Sequence, residues 1–199
     1  EEGVHQIPAA AISTADAELV VNYIKSNPEE KLEFILEMDC KKLEDKTSYN
    51  VIGEIPGASK RKKIITIGGH LDSWDTGEGA HDDGAGVVHC LEALRILKTM
   101  NYMPKHTLRV VFFMNEENGN MGGKTYAKWV KEKGEKHVAA IESDRGGFAP
   151  RGFTCDGSEA QIDWLKSQAY LFNDYDLHVF EKGYGGVDIG PLKREYPKI

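Results

Sequence analysis

The sequence lacks long apolar runs. None approaches the ~20 consecutive residues of a membrane-spanning helix. It holds only three cysteines, Cys40, Cys90 and Cys155. An odd, widely spaced set gives neither a disulfide framework nor a cysteine zinc knuckle, and Cys90, in a helix-like run, reads as a small core residue. Positive charge is in deficit, with 25 Lys and Arg against 32 Asp and Glu and a formal net charge of -7. That balance argues against a nucleic-acid backbone as partner. There is no internal repeat and no low-complexity tract. Glu1-Glu2-Gly3 carries neither a starting Met nor the basic region of a signal peptide, so nothing here speaks directly of export. What is present is 199 residues, 40% hydrophobic. That is enough for one domain with a real core and room for a piece of another.

Ile7-Pro8-Ala9-Ala10-Ala11-Ile12 is a short apolar run. A short helix is expected over 18–24, capped by Ser13 or Thr14 and ended by Asn27-Pro28. Residues 31–39 alternate, with Leu32, Phe34, Leu36 and Met38 against Glu33 and Glu37, and predict a half-buried strand. A second strand, 49–55, stops at Pro56-Gly57; both are expected as antiparallel edge strands. The basic cluster Lys60-Arg61-Lys62-Lys63 reads as a solvated turn. Ile64-Ile65-Thr66-Ile67 then predicts a buried strand that stops on Gly68-Gly69. From there helices and strands alternate. A helix over 87–99 places Val87, Leu91, Leu94 and Leu97 on one face, and a strand follows over 107–114. A helix over 122–133 turns Tyr126, Trp129 and Val130 inward and stops at Gly134; a strand covers 137–141, a helix 159–172 and a short strand 176–180. The pattern predicts an α/β fold, a three-layer sandwich about a mixed, mainly parallel sheet.

Three successive strands end in polar loops. After the first come His70 and Asp72, then Asp82-Asp83; after the second, Glu116-Glu117; after the third, Asp144. In an open α/β sheet, sites form outside the carboxyl ends of strands. One imidazole among this many carboxylates suits zinc or another borderline divalent ion. A bridging carboxylate also suits two ions that clamp a hydrolytic transition state. Of the adjacent Glu116 and Glu117, one can ligate while the other serves as general base. A two-carboxylate glycosidase would leave His70 and Asp82-Asp83 without a role. His81 is close enough to line the site; His89 and His178 are not expected in it. Trp74 either lines a substrate pocket or packs, and Asp188 either joins the pocket or makes an Asx turn. Gly77-Glu78-Gly79 has no lysine or helix directly behind it to make a phosphate loop.

Four separated motifs, GGHLDSWD from Gly68, GAHDDGAG from Gly79, NEENG from Asn115 and ESD from Glu142, resemble in content and order those of the zinc exopeptidases with two co-catalytic metals, the aminopeptidase-type family. The HLDSWD run and the later GYGGVDIGPL run resemble the branch of carboxypeptidase Q (plasma glutamate carboxypeptidase). The resemblance covers residues 31–199. It implies a metal-dependent exopeptidase whose sheet is mixed and eight-stranded between helices. It implies that His70 and Asp144 bind one zinc, Glu117 the other, and Asp82 bridges them, with a cis peptide bond to Asp83. Asp72 would orient His70 through its other ring nitrogen, and Glu116 would be the general base. Asp83, Trp74, His81 and Asp188 are further candidates for lining the site. A peptide or dipeptide substrate, a homodimer, and a secreted, periplasmic or extracellular location are implied as well. The family's last ligand, a His well after the GYGGVDIGPL run, is not among these residues. The chain is therefore expected to be a piece of a longer protein: residues 1–30 the tail of an inserted protease-associated domain or linker, residues 31–199 a catalytic domain short of one ligand. The alternative expectation is a domain that keeps the fold with an incomplete metal site and no turnover.

Overall fold

Helix α1 (Thr14–Ser26) follows from a cap at each end. The Ser13 Oγ accepts the Asp16 N–H at 3.1 Å, and the Asn27 N–H returns to the Tyr23 carbonyl. The computed structural model describes residues 7–41 and 43–199, except the side chains of 60–62; positions 1–6 of the expected N-terminal segment, and three side chains of the basic cluster, lie outside the described residues. The chain divides into two units, Glu1–Lys46 and Thr47–Ile199. In the first, α1 buries no side chain. The strand expected over 31–39 is absent: the segment is irregular, with Phe34 70% and Ile35 90% exposed. Alternation supplies an apolar face, but a strand also needs a neighbour for its backbone N–H and C=O groups. The described part of this unit offers only α1.

The second unit begins with β1 (Val51–Ile55) and β2 (Lys60–His70), so the basic cluster opens a strand rather than filling a turn. Then come α2 (Gly84–Thr99), β3 (His106–Phe113), α3 (Met121–Lys133) and β4 (Lys136–Glu142). These strands form a sheet in the order β1-β3-β2-β4. β2 runs parallel to β3 and β4, and β1 is antiparallel to β3 at the edge. The sheet is mixed and mainly parallel, as the alternation predicts; among the described residues it has four strands rather than eight. β3 explains the layers. Val110 and Phe112 point to one face and pack with Cys90 of α2, while Val111 and Phe113 point to the other and pack with Tyr126 and Val130 of α3. Helices thus cover both faces. Two details differ from the periodicity. The inward stripe of α2 runs through Val87, Cys90 and Leu94, while Leu91 is 53% exposed: a helix lying on a sheet selects one line of contact, and two adjacent lines were equally apolar. Burial pushes the Cys90 thiol up to about 12, so it serves as a core residue.

Beyond the main sheet, β5 (Gly152–Cys155) and β6 (Val179–Lys182) pair in parallel as a second, two-stranded sheet. α4 (Glu159–Ser167) stops earlier than expected and tightens into a 3₁₀ turn (Ala169–Tyr175). The strand expected over 176–180 starts three residues late because Asp176 sits at φ 55, a left-handed conformation no strand accommodates. α5 (Gly190–Glu195) closes the fold, its Leu192 joining the α3 side of the core. No helix among the described residues is long and apolar enough to cross a membrane.

One buried polar group ties α3 to the sheet. The Arg109 guanidinium of β3 is paired with Glu54 and Glu135 and donates to the Tyr126 hydroxyl, which also meets His137 Nε2 at 3.0 Å. Burial, then the charge of Arg109, lowers the His137 imidazole to about 4 from an ordinary 6.5. A histidine held neutral in the fold stabilises it above 6.5, and that contribution is lost as pH falls toward 4. Urea midpoints are expected to fall between pH 7 and pH 4.5 more steeply for the wild type than for His137→Gln; parallel falls would remove His137 from the acid limb.

Candidate metal centre

Register places the chemistry. β2, β3 and β4 run the same way, with His70 opposite Phe113 and Gly68 opposite Glu142, so their carboxyl ends and the loops that follow share one edge. His70 is 1% exposed at the end of β2. Its Nδ1 donates to the Asp72 backbone carbonyl at 2.8 Å. That bond turns Nε2 toward the loops, where Asp82 Oδ1 lies at 3.1 Å, Asp144 Oδ1 at 3.3 Å and Glu116 Oε2 at 3.9 Å. Three carboxylates from three loops thus converge on one ring nitrogen. Burial opposes a charge on the imidazole. The hydrogen bonds to Asp144 and the Asp72 carbonyl, and the charges of Asp144 and Asp83, outweigh it and push His70 up to about 10. A crowd of oxygens that holds a proton so firmly is also a donor set for a divalent cation. His70, Asp82 and Glu117 bring ligand atoms within 4.8 Å of one another, and so do His70, Asp83 and Asp144.

Asp72 meets the other ring nitrogen of His70 through its backbone carbonyl rather than its carboxylate. Its Oδ1 is 3.8 Å from Nδ1, and the backbone carbonyl takes that place. The carboxylate instead accepts the N–H groups of Glu116 at 3.0 Å and Glu117 at 3.2 Å. One residue therefore sets both the imidazole and the Glu116-Glu117 turn. Asn115 and Asn120 bracket that turn at φ 69 and 55, left-handed values that Asn tolerates well. Burial first, then the charges of Asp144 and Glu117 against that of His70, raise Glu116 above the ordinary carboxylate range. Glu117 Oε1 is buried without a hydrogen-bond partner among the described residues.

Asp83 lies beneath the centre. The peptide bond between Asp82 and Asp83 is cis, as the resemblance implies. Asp82 is 61% exposed at its side chain and Asp83 is 1% exposed. The Asp83 carboxylate accepts the N–H groups of His70 and Gly86, both at 3.0 Å, and caps α2. Glycine is required on both sides of it. A Cβ at Gly69 would lie 2.1 Å from Asp83 Oδ2, and one at Gly86 would lie 1.6 Å from the Ser143 carbonyl oxygen. Burial is the main cause that pushes Asp83 up to about 7.

Two contributors were not legible as site residues. Glu142, two positions before Asp144, accepts the N–H groups of Val187 at 2.8 Å and Ile189 at 2.9 Å. Asn120 holds the Val187 carbonyl at 2.6 Å from the other side. Together they bring Asp188 to the underside of the centre, 1% exposed, with neither carboxylate oxygen partnered among the described residues. Burial, then the charge of Glu142, pushes Asp188 up to about 8. Glu142's place at a strand's carboxyl end was the only available hint. Of the remaining candidates, Trp74 and His81 line an open cleft of about 510 Å³ that reaches Asp82 and Glu117. His89 contacts the Ser143 hydroxyl at 3.1 Å, and His178 turns to the Asp176 carbonyl.

The profile of peptidase family M28 matches residues 50–191. Mouse (Mus musculus) carboxypeptidase Q is 35% identical over 186 residues, 93% of this chain and 39% of that protein. The human (Homo sapiens) protein of that name is 37% identical over 159 residues, 80% of this chain and 33% of its own length. The chain thus spans about two fifths or less of these relatives. Among solved structures, a peptidase M28 precursor from Shewanella amazonensis SB2B superposes with a TM-score of 0.78 at 34% identity, over 98% of this chain and 44% of that one. A zinc aminopeptidase from Bacillus subtilis, 22% identical, shares the fold with a TM-score of 0.58 over 73% of this chain and 37% of its own.

Proposed function

This chain belongs to peptidase family M28, and from that premise we propose that it carries the metal centre of a zinc-dependent exopeptidase that hydrolyses a terminal peptide bond. The observation that carries the reading is the convergence of Asp82, Asp144 and Glu116 on His70 Nε2. The donor set fits zinc, which takes imidazole and carboxylate together, and the buried, unpartnered Glu117 Oε1 is a further oxygen available to it. In this reading His70, Asp82, Asp144 and Glu117 would hold the zinc. Zinc in that position would supply a Lewis acid that acidifies water and polarises a carbonyl. Glu116 takes the proton from the attacking water at Oε2 and returns it to the leaving amine nitrogen. Its raised proton affinity suits a base that must also give the proton back. Asp72 keeps Glu116 and Glu117 on their separate tasks by holding both backbone N–H groups. Asp83 supports His70, its two oxygens accepting the backbone N–H groups of His70 and Gly86.

The test is hydrolysis of unblocked dipeptides before and after chelation. Activity is expected to disappear with a strong chelator and return with added zinc. A second reading, a domain that binds metal without turnover, predicts zinc uptake and no hydrolysis at any zinc concentration. Chelator-insensitive hydrolysis would contradict both.

A further inference from the structure

We infer that the concave surface between α3 and α5, none of whose residues belongs to the metal centre, is a binding site for a small anion that carries two or more phosphate- or sulfate-type groups. The cavity there has a volume of about 380 Å³, within the range of sites that enclose small ligands. Ala127 and Pro191 are its buried lining residues. The exposed ones are charged: Lys124, Lys128 and Lys131 along α3, and Arg194 beside Glu195 on α5. Four cations thus share one cavity with a single carboxylate, in a chain whose formal net charge is -7.

This positive charge is not neutralised from within. Glu195 pairs with Lys131 at 2.7 Å. Lys124 Nζ donates to the Gly119 carbonyl at 2.7 Å, which uses one of its three donors and leaves its charge in place. Lys128 and Arg194 make no hydrogen bond or ion pair among the described residues. The lysine row also works against its own helix. Lys124 and Lys128 are four positions apart, and Lys128 and Lys131 three apart, spacings at which like charges repel across a helix surface. The first turn of α3 ends on Lys124 and holds no acidic residue, the wrong sign for a helix N-terminus. An anion lying across the row relieves both conflicts. Arg194 adds a planar fork that takes two oxygens of one group, and the lysines are point charges for a second. A lone carboxylate would leave most of this charge unmatched, so the fit is to a multivalent anion. The volume suits a small molecule rather than a long chain.

The experiment titrates the full chain with benzene-1,3-disulfonate, a divalent probe whose sulfonates hold zinc weakly, by calorimetry for affinity and by amide chemical shifts for location. A dissociation constant below about 1 mM is expected at low ionic strength, weakening as salt is added. The shifts are expected to centre on the amides of Ala127, Lys128 and Arg194, and monovalent benzenesulfonate to bind at least about 10-fold more weakly. Lys128→Ala and Arg194→Ala are each expected to weaken the disulfonate by about 5–10-fold. Lys98→Ala, which removes the same charge from an exposed position on α2, is expected to leave it unchanged. Displacement of the probe by a sugar bisphosphate, by a disulfated disaccharide or by both identifies the group recognised. Displacement by neither, equal affinities for the two sulfonates, or equal losses in Lys98→Ala and the two cavity variants would overturn the site, as would the absence of saturable binding. Peptide hydrolysis plays no part in the readout, so failure here leaves the exopeptidase reading standing, and failure of that reading leaves the anion site standing.

Discussion

Glu116→Gln is expected to lower peptide turnover by about 10²–10⁴-fold, the usual contribution of a positioned general base, with bound zinc unchanged. The substitution keeps the side chain's size and leaves the Asp72 clamp on the 116 and 117 N–H groups intact, because that clamp engages backbone. It removes only the site that accepts a proton. Glu117→Gln serves as the contrast. It exchanges a charged oxygen ligand for a neutral amide, so zinc affinity is expected to fall first and turnover with it. Measuring kcat and zinc content together distinguishes the two glutamates. A Glu116→Gln enzyme within a few-fold of wild type would move the base elsewhere.

Gly86→Ala is expected to destabilise the fold and the centre together. Helix propensity alone favours alanine over glycine by about 1 kcal/mol, and Gly86 lies in the first turn of α2. Packing wins nonetheless. The new Cβ would lie 1.6 Å from the Ser143 carbonyl oxygen and 2.3 Å from Asp83 Oδ1. One of these is backbone, so no rotamer change relieves it, and overpacking of this kind costs about 1–3 kcal/mol or more. The displaced Asp83 would also release the His70 N–H. Urea unfolding is expected to show a net loss of about 2 kcal/mol and zinc titration a weakened site. A stability equal to the wild type would mean that α2 shifts freely against the end of β4.

Strand ends were the most legible part of the sequence. β3 carries the apolar run Val110–Phe113 because helices cover both of its faces, and β2, β3 and β4 each stop at a polar loop that reaches the centre. Residue type and spacing therefore located His70, Asp82, Glu116, Glu117 and Asp144 on one edge. Partnering was not legible. Residues 31–39 alternate as well as many strands do, yet whether a neighbour lies beside them is a tertiary fact. The α2 stripe could pass through Cys90 or Leu91, and only the sheet beneath selects Cys90. Backbone capture by carboxylates was hidden for a similar reason. Asp72 reaches N–H groups 44 and 45 positions later, and Glu142 reaches those of Val187 and Ile189, 45 and 47 positions on. Any acidic residue can accept from any backbone N–H group, so such bonds leave no motif.

The central claim is that His70 anchors a zinc centre at this edge. The most direct measurement is zinc bound per chain after equilibrium dialysis at neutral pH, for the wild type and for His70→Ala. The account predicts at least one tightly held ion in the wild type and none in His70→Ala, since His70 belongs to both groups of convergent donors. Equal zinc content in the two proteins, or none in either, would contradict it.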